Sequence, residues 1–381
     1  MRVQIVDPPA YTPPYDHSLA AALARAGADV ELLTSRYPYG AAPDQGGYTV
    51  RESFYRRATA GDRGTNARRA LRLAEHLPGM LAARDARGFD VVHYQWLTLE
   101  PLDALLLARG AARVFTAHNV LRRGSGSRRS VRRALARMDA VVAHTEAGAV
   151  TLREDLGVPA ERVHVIPHGA FDYLANQQHE EPLPAELAAV EGPVVLCFGI
   201  LRPYKGIDVL VDAFREIEGA ELWIAGRPWM DPAPLHEAAA RAKGTVRFID
   251  RFVPDAMLPA LFRRADVVTL PYRRIDQSGV LYTALAFGKA MVLSDVGGFA
   301  EVGRVDGAAE LVPPGDPVAL REALAGLLAD PARRAALEEH AAAAAAGRYS
   351  WDAIGRRTLE LYEGLLTGRT GMSGPSRTSR T

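Results

Sequence analysis

Short runs rich in β-branched residues alternate along this chain with Ala-, Leu- and Arg-rich stretches of helical length; the alternation runs once, stops, and begins again. Such a pattern predicts parallel sheets covered by helices. The first pass reads "VQIVD" (3–7), "DVELLT" (29–34), "DVVHY" (90–94), "RVFTAH" (113–118), "DAVVAH" (139–144) and "VHVIP" (163–167) as strands, with helices such as "HSLAAALARAG" (17–27) between them. Segment 175–193, "ANQQHEEPLPAELAAVEGP", interrupts the rhythm with amides, acids and prolines and is expected to link two domains, 1–174 and 194–349. The second pass reads "VVLCFG" (194–199), "AELWIAG" (220–226), "VRFID" (246–250), "DVVTLP" (266–271) and "AMVLSD" (290–295) as strands. An amphipathic helix is expected over 350–366 and a polar, disordered tail over 367–381. The expected fold is therefore α/β, with two doubly wound domains, and 381 residues are more than one core usually supports.

Composition excludes several classes. A 48% hydrophobic, 24% charged chain of net charge +1 is that of a soluble globular protein with no overall field to steer a ligand. The single cysteine, Cys197, lies in the apolar run "PVVLCFGI", which excludes an intrachain disulfide and reads as a buried structural thiol in a reducing compartment. No run approaches the ~18–20 apolar residues of a membrane span, and "MRVQIVDPP" starts a strand instead of a signal peptide. The expected location is cytoplasmic. A dehydrogenase is disfavoured because no G-x-G-x-x-G follows the first strand of either half.

Ligands of open α/β sheets bind beyond the carboxyl ends of the strands, where helix N-termini face anions, so two such domains are expected to face a cleft built from those loops. Lys205 lies in one of them, "GILRPYKGIDVL" (199–210), and is one of only three lysines beside 43 arginines. A lysine at a helix start, where cations are disfavoured, reads as a phosphate ligand, with Arg202 beside it; the alternative is a solvated side chain. A second loop, "PYRRIDQSGVLYTALAFGKA" (271–290), opens a helix at Ser278-Gly279. Gly279 permits close backbone approach, and the Ser278 hydroxyl can cap the helix or bind an oxygen. Two phosphate-ready helix starts on one sheet point to a diphosphate.

The blocks "FGILRPYKGIDVLVDAF", "LWIAG", "ADVVTLPY", "SGVLYTALAFGKAMVLSDVGGFAE" and "LVPPGDPVALREAL" resemble, in order, the C-terminal domain of retaining glycosyltransferases of family 4, which have the GT-B fold. "DVVHYQW" (90–96), "VFTAHN" (114–119) and "VIPHG" (165–169) fall in the family's places in the first half, so the resemblance covers nearly the whole chain. It implies a nucleotide-sugar donor, UDP- or GDP-linked, on the second domain, and a small-molecule or glycan acceptor on the first. Lys205 then matches the diphosphate lysine, and Gly199, Ser278, Gly279, Val280 and Leu281 the turns that meet phosphate and ribose. His118 matches a histidine that reaches the transferred sugar, while His93 reads equally as an acceptor contact or a core histidine. The loop "PPAYTPPYDH" (8–17) stands in place of the family's glycine-rich turn and offers Tyr15 and Asp16 to sugar or acceptor.

Two departures stand out. Ile200 occupies the place of the family's arginine, leaving Arg202 to supply the charge, and Ile275 and Thr283 occupy the places of two glutamates that face sugar and ribose. Asp276, Gln277 and Thr283 are the nearest replacement polar groups. Cleavage of a sugar–phosphate bond needs positive charge and N–H dipoles on the leaving diphosphate, which Lys205, Arg202 and the 278–280 amides would provide. No Asp-x-Asp or His/Cys ligand spacing marks a metal site, and no cofactor is expected. The readings left beside a transferase are another GT-B enzyme of epimerase or phosphorylase type, and a non-catalytic sugar-nucleotide-binding subunit. Finally, 18 arginines against 7 acids over 51–137, densest in "RRGSGSRRSVRRALAR" (122–137), read as a peripheral membrane or anionic surface or as a solvated face. Nucleic acid is disfavoured, because no aromatic platform accompanies the charge.

Overall fold

The computed structural model describes residues 1–37, 45–57, 66–119 and 128–371. Its chain forms two compact units, one of residues 1–168 together with the segment from Trp351, the other Gly169–Ser350.

In the first unit, β1 (Arg2–Asp7), β2 (Asp29–Ser35), β3 (Thr49–Phe54), β4 (Val91–Tyr94), β5 (Ala112–Thr116), β6 (Ala140–Ala143) and β7 (Val163–Val165) form one sheet in the order β3-β2-β1-β4-β5-β6-β7. Every neighbouring pair is parallel. The second unit repeats the plan with six parallel strands, β8 (Val194–Phe198), β9 (Glu221–Ala225), β10 (Thr245–Ile249), β11 (Val267–Leu270), β12 (Met291–Ser294) and β13 (Ala309–Val312), in the order β10-β9-β8-β11-β12-β13. Strand order reverses between β1 and β4 in one sheet and between β8 and β11 in the other. Those reversals are where adjacent loops diverge to opposite faces and leave a crevice.

The apolar runs explain the central strands, whose residues are buried on both sides. Both strands outside the sequence expectation, β3 and β13, are sheet edges. Four of the six residues of β3 are exposed, so its sequence "TVRESF" lacks the apolar run that marks its neighbours. The helix Pro13–Arg25 starts four residues before the expected position, with prolines opening its first turn. The ring fixes φ near the helical value and needs no N–H there. Tyr15 and Asp16 therefore lie on a helix, not in an open loop.

The helix Trp351–Gly371 continues past the expected end at 366 and packs on Pro13–Arg25. Trp351, Ile354 and Tyr362 are buried. Gly355 makes the close approach possible, since a Cβ there would lie 2.8 Å from the Ala22 carbonyl oxygen. Residues of the 175–193 segment pack within the second unit: the Glu181 N–H donates to Ala256 O at 2.8 Å, and Leu187 is buried. Of the arginine-rich segment, 122–127 lie outside the described residues, as do 372–381 of the tail. In the helix Arg128–Leu135 that follows, Arg128 pairs with Asp155 at 3.6 Å and Arg132 donates to the Asp155 carbonyl, while Arg129 and Arg133 are exposed. Among the described residues no helix is long and apolar enough to cross a membrane.

Candidate functional site

The second unit brings its two candidate loops together at Gly199. This residue follows β8 with φ +105°, and a Cβ placed on it would lie 2.7 Å from Lys205 Nζ and 3.1 Å from Val280 Cγ2. Only a glycine leaves room for both. Lys205 ends a short 3-10 turn, Pro203–Lys205; Gly206, in the left-handed conformation, then starts the helix Ile207–Phe214. The helix thus begins two residues beyond the lysine. The Lys205 side chain is buried, with Nζ 5.1 Å from the centre of the Tyr272 ring. Burial pushes its ammonium below the usual lysine value, and among the described residues no carboxylate pairs with it. A buried cation without a counter-charge is costly, and an anion beside it would lower that cost.

The second loop is bolted to the first. Arg273 Nη1 and Nη2 donate to Asp208 Oδ1 and Oδ2 at 2.8 and 2.6 Å, Nη1 also donates to Pro203 O at 3.0 Å, and the Arg273 N–H donates to Tyr204 O at 2.8 Å. Hydrogen bonding to that guanidinium holds the Asp208 carboxyl below its usual value. Farther along, the Gly298 N–H donates to Asp276 O at 3.2 Å, and a Cβ on Gly297 would meet Ile275 O at 2.0 Å, so this turn is seated on backbone. Ser278 occupies the N-cap of the helix Gly279–Ala286 but makes no capping bond with its side chain. Gly279 is exposed and Leu281 buried. Thr283 Oγ1 donates back to Gly279 O at 3.0 Å, and Gln277 Oε1 accepts from Tyr282 Oη. Arg202 lies 4.3 Å over the ring of exposed Trp229, and Ile200 is 40% exposed beside it in sequence.

The first unit carries a separate cluster under the helix Pro13–Arg25. Three successive strands lead into histidines, β5 into His118, β6 into His144 and β7 into His168, all buried. The His118 ring stacks on Trp96 at 5.0 Å and 16° and receives Tyr15 edge-on at 4.7 Å. Desolvation holds His118 well below the ordinary imidazole value and His144 at about 4, so both are neutral at pH 7. His93 lies deeper. Its Nδ1 is 2.6 Å from Tyr362 Oη and its Nε2 2.7 Å from Thr116 Oγ1, so both ring nitrogens face protein partners.

Asp16 faces a second acid. Asp7 ends β1, both carboxyls are buried, Thr12 Oγ1 donates to Asp16 Oδ2 at 3.2 Å, and Asp7 Oδ1 and Asp16 Oδ1 have no partner among the described residues. Burial pushes the Asp7 carboxyl up to about 6 despite its hydrogen bond to Asp16; burial and the adjacent charge push Asp16 well above its usual value. Two carboxylates cannot both ionise there, so the pair keeps a proton. A carboxyl raised on folding stabilises the fold below its unfolded value and loses that contribution as pH rises through its folded value. For Asp7 that window is about 4 to 6. Urea unfolding is expected to show stability falling by ~3 kcal/mol across it. Asp16→Asn, whose amide can donate to Asp7, is expected to flatten the profile; an unchanged slope would count against the shared proton.

Sequence reasoning did not single out Asp7, Gln95, His144 or His168 as site residues. The available signal was the recurrence of a histidine after three strands, "FTAH", "VVAH" and "VIPH".

Comparison with known proteins bears on the family and the fold. The family model described as Glycosyltransferase Family 4 matches residues 15–170, and that described as Glycosyl transferases group 1 matches 192–330. The D-inositol 3-phosphate glycosyltransferase of Xylanimonas cellulosilytica is 32% identical over 60% of this chain and 57% of its own length. The enzyme of the same name from Kineococcus radiotolerans is 28% identical over 94% of this chain and 92% of its own. The phosphatidyl-myo-inositol mannosyltransferase of Mycobacterium leprae is 34% identical over 46% and 48%. The chain thus spans little more than half the length of several curated relatives. Among solved structures, a sucrose-phosphate synthase from Thermosynechococcus elongatus superposes with a TM-score of 0.75 at 19% identity, covering 97% of this chain and 100% of that one. Anabaena HepE in complex with UDP-glucose gives 0.68 at 20%, covering 96% and 100%.

Proposed function

From the premise that the chain belongs to glycosyltransferase family 4 and has the GT-B fold, we propose that it moves a sugar, with retention, from a nucleotide-diphosphate sugar to an acceptor hydroxyl, using protein cations and amides rather than a metal on the diphosphate. One observation carries this reading: Lys205 Nζ lies buried and unpaired against Gly199, at the strand-order reversal, beside the helix start at Ser278. A diphosphate there would give the ammonium its missing counter-charge and meet the amides of Gly279 and Val280. As the sugar–phosphate bond breaks, charge grows on the bridging oxygen, and fixed donors in a poorly solvated site lower the barrier most at that moment. Arg202 supplies a further cation on leaving the Trp229 face. With Thr283 bonded back into its own helix, Asp276 and Gln277 are the groups of this loop that take the sugar and ribose hydroxyls.

On the first unit, His118 is the group assigned to the transferred sugar, with Tyr15 and Trp96 holding its ring. Anabaena HepE, solved with UDP-glucose, supports the donor class. The relatives named for inositol 3-phosphate support a polyol acceptor. The test is a thermal-shift series with UDP, GDP, UDP-glucose and GDP-mannose, since a ligand of the native state raises apparent stability as ln(1 + [L]/Kd). A nucleotide-dependent rise that Lys205→Met abolishes is expected, and absence of any shift would overturn the reading. Binding without release of nucleoside diphosphate, against any polyol acceptor, would instead mark a non-catalytic subunit.

A further inference from the structure

Resting on the reading of His118 as the sugar-facing group, we propose that His144 is a positioning residue that fixes His118 as its Nδ1–H tautomer, so that His118 Nε2 serves only as a hydrogen-bond acceptor. The proton order follows from three contacts in series. His144 Nδ1 is 3.0 Å from Ile166 O, His144 Nε2 is 3.2 Å from His118 Nδ1, and His118 Nε2 is 2.9 Å from the Gln95 side-chain atom placed as Oε1. A backbone carbonyl accepts and never donates, so His144 carries its proton on Nδ1. Neutral His144 then presents a bare Nε2, and only a proton on His118 Nδ1 can fill that 3.2 Å contact. His118 Nε2 is left bare in turn.

The Gln95 amide must therefore turn its nitrogen to His118 Nε2. Which end of an amide is oxygen is decided by its hydrogen-bond network, and the surroundings agree. With Oε1 toward His118, Gln95 Nε2 would be buried without an acceptor among the described residues. Rotation gives one of the two amide N–H groups an acceptor in His118 Nε2 and relieves the facing lone pairs there, at the cost of a carbonyl turned into the position the nitrogen leaves. The opposite order needs one of the two imidazoles to be doubly protonated, which burial and their mutual repulsion oppose at neutral pH. The Trp96 stack and the Tyr15 edge keep the His118 ring from turning over to exchange its nitrogens. The chemical consequence is selective: a ligand group that takes Gln95's place at His118 Nε2 must bring a hydrogen. A sugar hydroxyl qualifies, and a phosphate or carboxylate oxygen does not.

The test is a long-range imidazole 1H–15N spectrum of histidine-labelled protein, assigned with His118→Gln, in the absence of any ligand. At pH 7 His118 is expected to show a protonated Nδ1 and a bare Nε2; a protonated Nε2 in the wild type would overturn the proposal. His144→Leu is expected to release His118 to the Nε2–H form, and an unchanged pattern would overturn it equally. Should His144→Leu fail to fold, two gentler variants carry the same question. His144→Gln, whose amide offers one donor and one acceptor, should retain the Nδ1–H form. Gln95→Glu, which sets a carboxyl group against Nε2, should keep the His118 proton on Nδ1 while Nε2 takes or shares the carboxyl's proton; a ring protonated at Nε2 alone would contradict the assignment. In turnover of UDP-glucose or GDP-mannose, whichever donor the protein binds, His144→Leu should lower kcat by about tenfold or more with donor KM little changed, the scale of losing a histidine's outer partner. The spectrum depends on neither donor binding nor transfer. Failure of the tautomer thus stays separable from failure of the glycosyltransferase reading, which the nucleotide response of Lys205 tests.

Discussion

Lys205→Ala is expected to lower glycosyl transfer by about a hundredfold or more, the scale of removing one preorganised donor from a developing oxyanion. The size of the effect follows from burial. In water an ammonium is replaced by solvent at little cost, whereas Nζ lies against Gly199 and the Tyr272 ring, where nothing else among the described residues carries its charge to that point. Lys205→Arg should not rescue activity, because a planar guanidinium is larger than the space left over Gly199 and its donors point in a fixed fork. The same burial gives the variant an opposite signature in stability. An uncompensated cation weakens the ligand-free fold, so Lys205→Met should unfold at a temperature no lower than wild type without nucleotide, yet lose the nucleotide-induced rise. Initial rates with UDP-glucose or GDP-mannose, paired with thermal unfolding with and without UDP or GDP, check both halves. Near-normal turnover in Lys205→Ala would remove the lysine from the mechanism.

Gly206→Ala should be among the most destabilising single-methyl additions in the chain, at about 3 kcal/mol or more, summing left-handed strain and a steric clash. Gly206 has φ +67°, and a Cβ there would lie 2.0 Å from the Pro271 carbonyl oxygen. Strain and overlap act together, because relieving either moves the Lys205 turn away from β11. Gly157→Ala is the control: its φ is +70°, but nothing lies within 4 Å of the added carbon. It should cost about 1–2 kcal/mol, the strain alone. Chemical denaturation of both variants separates the two contributions, and equal losses would show that the Pro271 contact yields freely. Folded Gly206→Ala protein should also show a weakened response to UDP or GDP, because the displaced turn carries Lys205.

The central strands were legible because a parallel strand covered on both faces must be apolar throughout, as "VVLCF" and "MVLS" are. The edges were not. β3 has one buried residue in six, so the only physical signal that marks a central strand is absent from it. Lys205 and the Ser278 turn stood out for a similar reason: a cation at a helix start and a small-residue turn each contradict local preference, and both follow strands that flank a reversal of order. His144 and Gln95 gave no such contradiction. A polar residue just past a strand is ordinary in sequence, and only the sheet register, which sets His118 beside His144, turns two of them into a proton chain. Asp7 was hidden likewise at the end of a typical strand, with its partner Asp16 expected in a loop and found on a helix.

The packing of Trp351, Ile354 and Tyr362 onto the first unit has a consequence for synthesis. On the ribosome, all of residues 169–350 emerge before the helix that completes the first core. The second unit can close as soon as its last strand and helices are out, whereas the first waits with the cover of its β1–β7 sheet incomplete and His93 without its Tyr362 partner. Domains usually mature in the order in which they are made; here the connectivity reverses that order. A chain truncated after residue 350 would be expected to protect the later-made unit from protease and leave the earlier-made one open to it.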